Sequence, residues 1–243
     1  MRSSVKAKSA LAAFLTCPPG RHRAFNVWHD EDHRPENHGQ IDHIYHSARY
    51  VAEPEHVAAR QVLAGGLVEP GGEYLAMYWS TATPEQLLYD MTVVREQLRL
   101  MGRCEPINRD FRAVWRDRVH VVRAYVAPDS VLSADAVPLA PHHGIVATLG
   151  QYPHDLGAWA RRHEAEFVPR LLSGGDVAGI FTFMPMKEED HHLFVHVWFT
   201  RTDPLAVQGR GGEIEAELGG PHATIHLRSA YVPSTPERYG VHT

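Results

Sequence analysis

Residues 28–36 read Trp-His-Asp-Glu-Asp-His-Arg-Pro-Glu, and they sit inside a stretch that the chain contains twice. Sliding the sequence along itself by 134 positions pairs Ala13 with Ala147, Leu15 with Leu149, Pro19 with Pro153 and Ala24 with Ala158. In the same register His29 meets His163, Pro35 meets Pro169 and Asp42 meets Asp176, without a gap. Conservative pairs, Asp30 with Glu164 and Phe25 with Trp159, follow suit. Self-similarity over such a distance marks two copies of one structural unit. Only the first copy keeps all its acids and imidazoles, because Phe167 stands where His33 does.

Outward from this stretch, periodicity predicts the same order of elements in each half. Ala10–Thr16 is a short apolar run stopped by Pro18-Pro19-Gly20, which suits a buried strand. A helix is predicted over 21–37, strands over 43–51 and 73–80, a helix over 85–101 from the spacing of Leu87, Leu88, Met91, Val94 and Leu98, and a strand over 120–126. The prolines at 128, 138 and 141, without amphipathic period, predict a linker over 129–141 between units spanning 1–128 and 142–243. The second unit reads strand 144–150, helix 155–172, strands 179–184 and 192–200, helix 203–218 and strand 224–232. Trp79 is matched with Trp198, and Ala124-Tyr125-Val126 with Ala230-Tyr231-Val232.

A β-α-β-β-α-β order makes a ferredoxin-like antiparallel sheet with both helices on one face. The bare face needs cover, so two tandem sheets are expected to pack against each other, with Tyr74, Tyr78 and Phe199 walling a cavity between them. The fold class is therefore α+β, with two tandem βαββαβ units.

At 243 residues and 44% hydrophobic positions the chain can bury a substantial core. A formal charge of -5 gives no basic surface for a run of phosphates, so nucleic acid is not an expected partner. Cys17 and Cys104 make no disulfide framework and no CxxC pair, which points to a reducing, cytoplasmic setting. Arg2, Lys6 and Lys8 ahead of Ala10–Leu15 imitate a signal peptide, yet that run is short, lacks a small-x-small cleavage site and has an internal counterpart at Gly144–Gly150. No stretch approaches the roughly 18 apolar residues of a membrane span, so no membrane partner is expected. Gly65-Gly66, Gly71-Gly72 and Gly209-Arg210-Gly211-Gly212 lack the strand and helix that frame a phosphate cradle and read as turns.

Phe25–Tyr50 resembles the EthD family of the dimeric α/β-barrel superfamily, through Trp28, the acidic turn Asp30-Glu31, His33-Arg34-Pro35 and the strand end Arg49-Tyr50. Gly39-Gln40-Ile41-Asp42 replaces the family's usual Pro-Gly before the second strand. The resemblance implies a pseudo-dimeric α/β barrel with a pocket in the concavity of each sheet. It also implies relatives among isomerases, polyketide cyclases, dehydratases, decarboxylases, cofactor-free monooxygenases and distant haem-binding barrels.

On an α-helix, His29, Asp30 and His33 share one face. A carboxylate beside an imidazole orients the ring and raises its basicity, so His33 is the candidate general base and Asp30 its orienting partner. His29 or His46 would donate to the oxygen where charge develops, and Tyr78 would hydrogen-bond a carbonyl or phenol. The competing plain reading makes this face solvated and leaves His29, which persists as His163, a structural residue. Eighteen histidines invite a metal reading on His29, His33 and a carboxylate, but the remaining ligands are not identifiable, and His191, His192 and His196 lie on or beside a strand whose alternation splits their side chains between faces. No second-half histidine stands out as a haem ligand. The expectation is a cofactor-independent acid/base enzyme, a lyase, cyclase or isomerase, acting on a hydrophobic aromatic or polyketide-like small molecule. Alternatives are a cofactor-free monooxygenase of a quinol-like substrate and a non-catalytic binding protein. Homodimerisation is left open.

Overall fold

A computed structural model describes residues 6–64, 66–68, 71–103, 111–153, 155–219 and 223–242. Cys104 lies outside them. The first half comprises β1 (Ser9–Thr16), α1 (His22–Trp28), α2 (Arg34–Gln40), β2 (Ile44–Val51), α3 (Pro54–Ala59), β3 (Gln61–Val62), β4 (Tyr74–Ser80), α4 (Pro84–Leu100) and β5 (Arg112–Val126). The second comprises β6 (Gly144–Gln151), α5 (Leu156–Arg162), α6 (Val168–Ser173), β7 (Val177–Pro185), β8 (Leu193–Thr200), α7 (Pro204–Glu217) and β9 (Thr224–Pro233). The expected order is present twice, with α3 and β3 as additions that periodicity did not reveal.

The strands run β2-β4-β1-β5 in one half and β7-β8-β6-β9 in the other, which is the ferredoxin-like order in both. The halves join antiparallel through β5 on β7, from Val119 opposite Pro185 to Val126 opposite Gly179. Tyr50 opposite Pro233 and Val51 opposite Val232 close the ring between β2 and β9. Closure leaves the eight main strands without a free edge, and β3 adds to β9 outside the ring. Among the described residues no helix is long and apolar enough to cross a membrane.

Both faces of β1 are buried, which is why it reads as a continuous apolar run rather than an alternation. Ala10, Ala12 and Phe14 face the barrel interior with Leu75, Met77 and Trp79 of β4. Ala13 and Leu15 face the helices with Tyr74, Ala76 and Tyr78. The barrel interior is a packed core, filled by Phe14, Trp79, Phe181, Phe183 and Phe199. The expected cavity between the sheets is therefore absent as drawn: Tyr74 and Tyr78 turn toward the helices and Phe199 toward the barrel.

The 134-residue register also slips by one in the strands. Ala13 faces the helices whereas its sequence match Ala147 faces the barrel. Ala10 pairs with Trp79 and Ile145 with Phe199, all four inside the barrel, so Phe199 is the counterpart of Trp79. Trp198 occupies the place of Tyr78, and the sequence pairing of Trp79 with Trp198 fails because a one-residue shift exchanges the faces of a strand. Tyr125 and Tyr231 part as well: Tyr231 stands opposite Ile145 as Val119 stands opposite Ala10, so the barrel counterpart of Tyr231 is Val119, six residues before Tyr125, which packs under the second-half helices.

Strand β5 begins at Arg112 rather than His120, because Arg112, Arg116 and Arg118 hid its alternation. The linker is not a bare tether. Residues Ala134–Leu139 form a 3₁₀ turn whose Val137 is buried in the barrel core, and Asp135 Oδ1 accepts from the Ala7 amide at 3.0 Å. Gly209, Gly211 and Gly212 lie within α7 and are not turns.

Close approach sets one glycine firmly. A Cβ at Gly144 would collide with the Tyr231 carbonyl of the neighbouring strand and lie 2.9 Å from Pro204 Cγ. Backbone cannot swing aside as a side chain can, so Gly144→Ala is expected to lose about 1–3 kcal/mol, visible as a lower urea midpoint at unchanged slope.

Candidate functional site

A π-turn, His29–His33, joins α1 to α2, and its twin His163–Phe167 joins α5 to α6. The register of 134 therefore holds in the helices. A π-turn widens the helix and shifts side chains around its axis, so the straight-helix expectation that His29, Asp30 and His33 share a face does not hold. His29 and His33 line a cavity between the first sheet and its helices, with ring centroids 5.4 Å apart. Asp30 turns to β2.

There Asp30 is committed to Arg49. Arg49 Nε donates to Oδ1 at 2.9 Å and Nη2 to Oδ2 at 2.8 Å, while Ser234 Oγ donates to Oδ2 at 2.9 Å. Asn26 Oδ1 accepts from Arg49 Nη1 at 2.7 Å, and the guanidinium lies over the rings of Phe25 and Tyr74. Burial favours the neutral acid, yet contact with His29 and the charge and hydrogen bonds of Arg49 outweigh it and hold Asp30 well below the usual carboxylate range. Asp30 is thus a tie between helix and sheet. The expectation that it orients His33 is corrected, because Asn37 Nδ2 is the side chain beside the His33 ring, 3.4 Å from either ring nitrogen.

His33 stacks on Trp28 at 4.6 Å, and burial lowers its pKa to about 4, so the ring is neutral near pH 7. His29 is 3% exposed, and burial lowers it to about 3 against the opposing pull of Asp30, whose Oδ1 lies 3.5 Å from its Nδ1. Tyr78 lines the same cavity at 2% exposure, with a hydroxyl that has no hydrogen-bond partner and a pKa raised by burial. His46 is elsewhere. On β2 it pairs with Trp79 of β4, with its ring 5.4 Å from the barrel-facing indole and its pKa lowered to about 4 by burial. The sheet separates His46 from the cavity, so the expectation that it joins His33 is corrected.

The cavity measures about 690 Å³. Leu11, Ala13, Ala76 and Met91 supply apolar wall, and Arg95, Arg112, Arg116, Arg118 and Lys187 supply cations that the sequence reading missed. Their signal was the alternation Arg112, Arg116, Arg118, legible only once β5 is known to start at 112.

The second half has closed the equivalent space to about 40 Å³. Trp198 replaces Tyr78 and Phe167 replaces His33. Gly211, at the helix position of Met91, lets the Trp198 ring come within 2.6 Å of where a Cβ would be, and Gly150 makes room for Phe194. His196 is buried against Trp159, His163 and Phe194 rather than presented to a ligand. Among the described residues, that space is too small for a haem. For a chelated ion, the donors that converge among the described residues are Glu53, Glu55 and His56. They are not on the cavity wall, and the carboxylate expected beside His29 and His33 is held by Arg49.

No family model matches the sequence, and no curated protein matches it significantly. Solved structures do match in shape. A candidate monooxygenase from Fusobacterium nucleatum aligns with a TM-score of 0.59 at 6% identity, covering 95% of this chain and 94% of that one. A dye-decolorizing peroxidase from Bacteroides thetaiotaomicron gives 0.57 at 9% identity, over 99% and 97%. A candidate chlorite dismutase gives 0.57 at 10% identity, over 97% and 98%. The chain has the dimeric α/β-barrel fold, with both sheets supplied by one polypeptide. At such identities the likeness is one of fold, and function has to be argued from the site.

Proposed function

We propose that the first-half cavity is the active site of an EthD-like enzyme that moves a proton on a hydrophobic, aromatic or polyketide-like small molecule, in dehydration, cyclisation, decarboxylation or isomerisation. The supporting observation is that a neutral imidazole, His33, and a partnerless phenol, Tyr78, line one cavity of about 690 Å³ that also has apolar wall from Leu11, Ala13, Ala76 and Met91. The two halves are read as copies of one duplicated module, of which the second has filled its site.

His33 accepts the proton. A pKa near 4 leaves the ring unprotonated at neutral pH, and the anion it creates in the substrate then stabilises the imidazolium. Tyr78 donates to the substrate oxygen where that charge collects, replacing water with a fixed dipole. Asn37 and the Trp28 stack set the angle of the imidazole. His29 shapes the cavity wall and stays neutral near pH 7.

His33→Gln is expected to reduce turnover about 10²–10⁴-fold, the usual contribution of a positioned base, while its thermal melt stays close to that of the native chain. Full activity in that variant removes His33 from the mechanism. Saturable binding without any chemical change would instead establish a carrier. Proton removal from a quinol-like substrate leaves an electron-rich anion that can react with O₂, and the monooxygenase among the fold neighbours favours carrying this second reading. Product formation that stops under nitrogen would select it.

A further inference from the structure

Resting on the cavity reading above, we propose that the ligand of this cavity carries a carboxylate, held by the guanidinium groups that β5 and α4 present to it. Five cations, Arg95, Arg112, Arg116, Arg118 and Lys187, line the cavity, and no aspartate or glutamate does so among the described residues. The chain as a whole is acidic, with a formal charge of -5, so this concentration of positive charge runs against its average. Arg118 and Arg116 stand opposite Leu11 and Ala13 of β1, on the helix-facing side of the sheet where the cavity lies. The Nε of Arg118 is enclosed and has no hydrogen-bond partner.

The closed half shows what such an arginine does when no ligand is to be met. Arg228 of β9 pairs with Thr148 as Arg116 pairs with Ala13. Its guanidinium is neutralised by Glu215 of α7, Nη1 donating to Oε2 at 2.8 Å and Nη2 to Oε1 at 2.6 Å. Both helices start on a proline, Pro84 and Pro204, after strands in matching register, and on that alignment Glu215 falls at the position of Arg95. The open half has reversed the charge at that place. Arg95, Arg116 and Arg118 line one cavity there, and a planar anion accepting two parallel hydrogen bonds is the complement that a guanidinium recognises best. An aromatic carboxylate would put its ring between Leu11, Ala76 and Met91 and its acid among the cations.

The test compares two fluorescent probes of nearly equal size, anthracene-9-carboxylate and anthracene-9-methanol, titrated into the full chain at low and high ionic strength. The carboxylate is expected to bind at least about tenfold more tightly at low salt, with the difference shrinking as salt rises. Arg95→Glu, which installs the charge of the second half, should bring the two probes to within about twofold of each other. Arg116→Gln should do so in part. Equal affinities in the native chain, or a carboxylate preference that survives both substitutions, would overturn the inference. Alcohol binding without a carboxylate preference would sink this inference alone. Failure of both probes to bind would take the aromatic-cavity reading down with it.

Discussion

Asp30→Ala is expected to destabilise the chain by about 3–5 kcal/mol, because it strands the Arg49 guanidinium, whose side chain is 1% exposed, without its counter-ion. Arg49 enters the fold under Phe25 and Tyr74, and Asp30 supplies two of its hydrogen bonds. The loss should exceed that of any single surface ion pair, such as Arg99 with Glu96, where both partners are more than half exposed. Replacing both members, Asp30→Ala with Arg49→Met, should recover much of the stability, since an apolar pair of similar volume leaves no buried charge unpaired. Urea titrations of the two single variants and the double measure this directly. An Asp30→Ala chain that unfolds like the native one, yet has lost activity, would return Asp30 to a role beside His33.

Acid should unfold this protein through its buried histidines. His33 and His163 are each lowered by burial from 6.5 to about 4, and His29 to about 3. In the unfolded chain these rings take up protons as pH falls below about 6.5, whereas in the folded chain they resist until near 4 or below. Their stabilising contribution is present above pH 6.5 and is lost as pH falls through that window. By pH 5 the difference is roughly 2 kcal/mol for each of His33 and His163, at 1.36 kcal/mol per unit of pKa shift. Against a total stability of about 5–15 kcal/mol, a few such rings suffice. The expected result is a cooperative loss of near-ultraviolet circular dichroism with a midpoint between pH 4 and 5.5. His163→Gln, which cannot take up that proton, should shift the midpoint down. A flat stability curve from pH 7 to pH 4 would show that these rings are hydrated rather than buried.

The ferredoxin-like order was legible because each half repeats strand, helix, strand, strand, helix, strand, and hydrophobic period needs no partner to be seen. The helices kept the register of 134 down to their π-turns, His29–His33 and His163–Phe167. The strands did not. A single residue of slip there put Ala13 and Ala147 on opposite faces, and with it went the assignment of Tyr78 to a barrel interior that Trp79 in fact fills. The arginines of β5 stayed hidden because a strand carrying cations into a cavity looks, from composition, like a solvated loop.

The sequence alone determined that one chain carries the same order of strands and helices twice and that His33 in the first half faces a phenylalanine, Phe167, at its match in the second, since both are written in residue order and spacing. Tertiary structure alone decided which neighbour each side chain meets. It gave Asp30 to Arg49 instead of His33, put His46 across the sheet, and left about 690 Å³ open beneath the first pair of helices while Trp198 and Phe194 closed the second. Local pattern says which face a residue prefers, but the partner on that face comes from another strand or helix, and one residue of slip or one π-turn is enough to exchange it.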